Sequence, residues 1–208
     1  MTARDAYRIL ILAGPSGAGK STLIKYIMAS CKDVYFSIST TTRPKRVGEV
    51  HGQHYYFVSQ EAFLEGIKKN QFLEWALVHG HHYGTSLLPI QDALKAGKLV
   101  LFDIDVQGHH SLKKIYPKAT SVFVTTKNVQ VLRERLEQRG TDTQEIIAKR
   151  LENAFKELQE VDTFDYVLIN DDLEQAKEKV LWVARTLDYK QQMFPKEVLC
   201  TAWQGTKL

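Results

Sequence analysis

Five segments of the chain read as strands because their apolar residues run with little interruption: YRILILA (7–13), VYFSIS (34–39), KLVLFDIDV (98–106), TSVFVT (120–125) and YVLIN (166–170). Such runs suit strands covered on both faces in a parallel sheet. Between them the apolar spacing turns helical, with starts expected near Lys20, Ser59, Ser86, Val106, Asn128, Asp142 and Asp172. Strand and helix alternation predicts an α/β fold around a central, mostly parallel sheet. Two helix boundaries carry local chemistry. Ser86 is the expected cap of a helix with Pro89 in its first turn and Gly97 at its end. Thr141-Asp142-Thr143-Gln144 offers a capping box after a break, and a hinge, at Gly140.

Residues 40 to 83 depart from this alternation. TTTRPKRVGEVHGQHYYFV is polar, turn-rich and aromatic, a short helix carries Phe63, Leu64 and Ile67, and NQFLEWALV follows. A small β-rich lobe inserted between strands of the main sheet is expected. The last twenty residues read as a helix end and a tail.

Composition changes this picture little. The chain has 208 residues, 44% hydrophobic and 25% charged, which fits one compact domain. Lys and Arg number 28 against 24 Asp and Glu, too mild an excess to argue for a nucleic-acid partner. No apolar run approaches the roughly 20 residues of a membrane helix, and the N-terminus lacks a signal-peptide core, so a soluble, cytoplasmic protein is expected. Cys31 and Cys200 stand alone, which suggests neither a disulfide framework nor a zinc site. His79, His81 and His82 lie close together, but with no acidic or thiol partner at ligand spacing they read as surface histidines. Arginines fall in two groups, Arg43 with Arg46, and Arg133, Arg135, Arg139 with Arg150, as two anion-meeting surfaces would require.

The most specific signal is GPSGAGKS at residues 14–21, a full GxxxxGK[ST] phosphate loop between an apolar strand and a helix. Gly14, Pro15, Ser16, Gly17, Ala18, Gly19, Lys20, Ser21 and Thr22 form the expected ATP-binding loop, whose N–H groups and helix N-terminus favour phosphate. Lys20 is expected to reach the β/γ-phosphates and Ser21 to ligate Mg2+. Asp103 follows LVLF at a strand end, where it is the second expected Mg2+ ligand.

A phosphate loop does not name the acceptor. SISTTTRPKRVGEVHGQHYYF, FLEWA, HHYGTS and FDIDVQG together resemble the guanylate kinase family, from about residue 7 to 188. The resemblance implies a P-loop NTPase three-layer fold: a core at about 1–39 and 84–188, a GMP-binding lobe at about 40–83, a helical lid at about 133–155 and a tail at about 189–208. It implies ATP and GMP, with dGMP beside it, as substrates, GDP and ADP as products, and a place in purine nucleotide metabolism. Carried over by position, Arg43, Arg46, Tyr55 and Tyr83 grip the GMP phosphate, and Glu49 supports their loop. Ser39, Glu74, Thr85 and Asp105 read guanine. A carboxylate at Glu74 complements guanine's N1–H and 2-amino group and repels the unprotonated N1 of adenine. Arg135, Arg139 and Arg150 are the implied lid arginines, catalytic together with Lys20 and Arg43, and Asn170 lies near adenine. No general base is required, because a phosphate monoester already ionises near neutral pH.

Two positions depart from the family, where His54 is commonly Asp and Thr85 often Ser. Two rival readings stay open: a related kinase with another acceptor, which predicts loss of the guanine readers, and a non-catalytic interaction domain, which predicts loss of the loop lysine. Homo-oligomerisation also stays open.

Overall fold

The computed structural model describes residues 7–78, 80–138, 140, 142–190, 194 and 196–205. In chain order the elements are β1 (Ile9–Ala13), α1 (Lys20–Ser30), β2 (Val34–Phe36), β3 (Thr40–Thr41), β4 (Tyr56–Phe57), α2 (Gln60–Lys68), β5 (Phe72–Val78) and β6 (His81–Ser86). They continue with α3 (Leu87–Lys95), β7 (Leu99–Asp103), α4 (Val106–Ile115), β8 (Thr120–Thr125), α5 (Val129–Gln138), α6 (Gln144–Leu158), β9 (Tyr166–Ile169), α7 (Leu173–Thr186) and α8 (Lys196–Trp203).

The main sheet has the order β2-β7-β1-β8-β9 and is parallel throughout. On β1, Leu10 and Leu12 pack against α1 and α7 through Leu23, Ile27, Val180 and Ala184, while Ile9, Ile11 and Ala13 pack against α3 and α4 through Ile90, Leu94 and Leu112. The uninterrupted ILILA run is therefore alternation with both faces covered. β1 lies between β7 and β8, so the connections that leave and rejoin the sheet diverge there. Ligands of open α/β sheets bind at such a point, beyond the strands' C-terminal ends.

A second sheet, β4-β3-β6-β5, stands over those ends, with β5 and β6 an antiparallel pair and β6 running to Ser86. Phe63 of α2 is fully buried there and stacks on Phe72 at 4.2 Å. A third apolar cluster joins Leu132 and Leu136 of α5 to Ile147, Leu151 and Ala154 of α6, giving this helix pair a core of its own.

Several local expectations need correction. Ser86 precedes α3 but makes no side-chain cap bond, because its hydroxyl pairs with Thr40 Oγ1 at 2.7 Å across the lobe sheet. The cap of α6 is Thr143, whose Oγ1 accepts from Ile146 N; Thr141 lies outside the described residues. β7 ends at Asp103, short of 106, because Asp105 leaves the strand to cap α4 by accepting from Gly108 N at 2.7 Å. The tail carries a helix of its own, α8, with none of its residues buried.

Candidate active site

The phosphate loop leaves β1 at Ala13 and enters α1 at Lys20. Its geometry demands glycine at both ends. Gly14 (φ 126°) passes so close to β8 that a Cβ would come 2.2 Å from Val124 O, and one on Gly19 (φ 93°) would come 2.3 Å from Asn170 Nδ2. Asn170, at the end of β9 and almost fully buried, donates through Nδ2 to Ala18 O at 2.8 Å, while its backbone carbonyl accepts from Arg135 at 2.8 Å. The residue expected beside adenine thus also braces the loop from beneath. Its Oδ1 is buried without a partner.

Lys20 Nζ donates to Gly14 O at 2.6 Å and Pro15 O at 3.3 Å and lies 3.8 Å from Asp103 Oδ1. Ser21 Oγ donates to Asp103 Oδ2 at 3.3 Å. Asp103 is paired in register with Leu12, one strand over, which brings it to the mouth of the loop. Burial raises its carboxyl above the ordinary range, opposed by the Lys20 charge and the Ser21 hydrogen bond. A hydroxyl and a carboxylate are hard oxygen donors that suit Mg2+. No cluster of three or more His, Cys, Asp or Glu able to hold a metal occurs among the described residues.

Helices α5 and α6 reach the loop and its brace Asn170 through their arginines. Arg150 of α6 donates to Ser16 Oγ at 2.8 Å and to Asp142 Oδ1 at 3.1 Å. Arg139 lies outside the described residues, as does His79. Glu157, which sequence reasoning missed, joins Ser16, Lys20, Ser21, Asp103 and Asp105 in lining a cleft of about 420 Å³ over the loop. Nothing short of the fold brings residue 157 to residue 20.

A second cleft of about 520 Å³ lies between the lobe sheet and α4, lined by Ser39, Glu74, Tyr83, Thr85 and Asp105 from the expected set. Gln107 and Ser111 of α4 line it too, and a helical i,i+4 pair beyond FDID was the signal available for them. Glu74 is half-buried on β5, and Thr85 Oγ1 donates to its Oε1 at 3.4 Å. Burial, then the charge of Asp105, pushes the Glu74 carboxyl upward.

The lobe's loop supplies the remaining cations. Arg43 pairs with Glu49 Oε1 at 2.6 Å and lies over the rings of Tyr55 (5.5 Å) and Phe57 (5.7 Å). Tyr55 meets Tyr83 edge-on at 6.0 Å. Glu49 Oε2 accepts from Arg46 N at 2.8 Å, and these bonds hold the Glu49 carboxyl down to about 2. The Arg46 guanidinium is exposed and makes no ion pair among the described residues. His54 Nδ1 accepts from Val50 N at 3.0 Å, an acceptor role that an aspartate carboxylate also fills. Asp103, Ile104 and Asp105 line both clefts, so the end of β7 is their common wall.

A guanylate kinase family model matches residues 6–186. The chain is 57% identical over 202 residues to the guanylate kinase of Helicobacter pylori strain HPAG1, covering 97% of this chain and 98% of that protein. It is 50% identical over 203 residues to the guanylate kinase of Wolinella succinogenes, covering 97% and 94%. Among solved structures, guanylate kinase from Anaplasma phagocytophilum superposes with a TM-score of 0.70 at 26% identity, over 96% of each chain.

Proposed function

The chain belongs to the guanylate kinase family, a nucleoside monophosphate kinase that phosphorylates GMP, and from that premise we propose how its two clefts divide the work. The loop cleft takes ATP and the lobe cleft takes GMP, with dGMP as a second acceptor. The observation that carries this reading is the wall the clefts share at Asp103–Asp105, across which nucleotides in the two clefts would meet.

On the donor side, the loop N–H groups from Gly14 to Thr22 cradle the phosphates, and Lys20 leaves the Gly14 carbonyl for the β/γ-phosphates. Ser21 and Asp103 are the residues that would hold Mg2+, which neutralises phosphate charge when bound. On the acceptor side, Arg43, Arg46, Tyr55 and Tyr83 hold the GMP phosphate, with Glu49 fixing Arg43. Glu74 accepts from guanine's N1–H and 2-amino group, with Ser39, Thr85 and Asp105 completing the base site. Arg135, Arg139 and Arg150 close over the transferring phosphoryl and exclude water that would hydrolyse ATP. Positioning and charge stabilisation carry the step, and a cytoplasmic setting within purine metabolism supplies both nucleotides.

ADP release with ATP and Mg2+ over a panel of GMP, dGMP, AMP, UMP and a ribose bisphosphate tests the division. Turnover with GMP and dGMP alone is expected; equal turnover with AMP would remove Glu74 from base selection.

A further inference from the structure

Glu157 sits on α6 two turns after Arg150, so both side chains leave the same helix face. That face looks onto the phosphate loop, because Arg150 reaches Ser16 and Glu157 lines the loop cleft. Glu157 Oε2 is buried and has no hydrogen-bond partner. The residue also stands in the last turn of its helix, where the helix dipole disfavours negative charge. Burial raises its carboxyl, the Lys20 ammonium opposes that rise, and Asp105 adds to it. A half-buried carboxylate with one buried, unpartnered oxygen costs stability, so its place in the loop cleft calls for a role with the ligand.

Electrostatics supplies that role. Lys20 in the cleft and Arg150 beside it on Ser16 attract phosphate, while the lining carboxylates Asp103, Asp105 and Glu157 repel it. A bare triphosphate carries more negative charge than one neutralised by a divalent cation, so a carboxylate suspended from the lid penalises the bare form more. We propose that Glu157 is a specificity-determining residue that makes the donor cleft favour cation-loaded nucleotide over bare nucleotide. The proposal rests on the loop cleft being the donor site, as read above. Because Glu157 travels with α6 and Arg150, the same charge also discourages the lid from closing over a nucleotide that lacks its cation.

The test is a pair of equilibrium titrations of ATP, one with excess Mg2+ and one with EDTA, on the unmutated chain and on Glu157→Gln. The Gln variant is expected to bind bare ATP about tenfold more tightly while Mg2+-loaded ATP changes far less, so the Mg2+ preference falls about tenfold. Glu157→Asp, which keeps the charge, should keep most of the preference. A preference unchanged in Glu157→Gln, including one in which both affinities move in parallel, would overturn the proposal and mark the residue as structural. A thermal melt of each variant shows that it is folded. GDP formation by the unmutated preparation reports on the parent reading separately: no GDP beside a Glu157-dependent preference sinks that reading alone.

Discussion

Arg150 of α6 donates to Ser16 Oγ at 2.8 Å, tying α6 to the phosphate loop across 134 residues of sequence. The same guanidinium is held by Asp142 at the entry to its helix, so its fork is oriented before any ligand binds. We predict that Arg150→Ala lowers kcat by about 10² to 10³, the typical loss of one preorganised transition-state donor, with a smaller change in KM for ATP. Arg150→Lys keeps the charge but not the fork and should fall between. Steady-state kinetics with ATP varied decides it; a near-normal kcat in Arg150→Ala would take the residue out of the mechanism.

Lys20 makes a complementary case, because its ammonium lies folded onto the Gly14 carbonyl at 2.6 Å. On the proposed division of the clefts it would exchange that acceptor for phosphate when nucleotide arrives, and its effect would belong to the donor side alone. Lys20→Ala is therefore expected to slow single-turnover phosphoryl transfer by about 10² or more, while GMP affinity by calorimetry stays within about twofold. A matching loss of GMP affinity would show that the two clefts are not separable.

The signals that worked in the sequence were local ones. GPSGAGKS carries its own backbone requirements, and β1, β7 and β8 announced themselves because buried parallel strands need apolar residues on both faces. Asp105 was legible as a residue of the FDID strand end, yet its capping of α4 shows only in three dimensions. Ser86 looked like a cap because serine before a helix usually is one; the cross-sheet bond to Thr40 outcompeted that role. Glu157, and the bracing of the loop by Asn170, were hidden in another way. An acidic residue near a helix end and an asparagine at a strand end carry no periodic mark of what the fold sets opposite them, here Lys20 and Ala18.

His109 of α4 yields a prediction about stability. It is buried, stacks on Phe164 at 3.9 Å, and both ring nitrogens lack partners. Burial, with the nearby charges of His110 and Lys113, lowers its pKa to about 4, against the opposing pull of Asp165. Between pH 6.5 and about 4 the unfolded chain binds a proton that the fold refuses, so this group's contribution weakens as pH falls through that window and levels off below it. His109→Phe removes the proton and the two unsatisfied nitrogens together. Its melting temperature should exceed that of the unmutated chain, by a margin that grows from pH 7 to pH 5. Equal margins at both pH values would refute the buried-neutral assignment.

Glu74 brings the proposed guanine site under the same logic with the opposite consequence for function. As a base reader it must be ionised to accept two N–H groups from guanine, and burial followed by the Asp105 charge raises its pKa above the ordinary carboxylate value. Protonation therefore begins at a higher pH than for a free glutamate, and it turns an acceptor into a donor aimed at guanine's own donors. KM for GMP, corrected for the GMP phosphate's own ionisation at about pH 6, is expected to climb as pH falls toward the raised pKa. Glu74→Gln should raise KM for GMP by about 10- to 100-fold, the loss of a hydrogen bond to a charged group, and abolish the selective acid-side rise. If that corrected rise persists in Glu74→Gln, Glu74 is not the titrating group and its role as base reader falls.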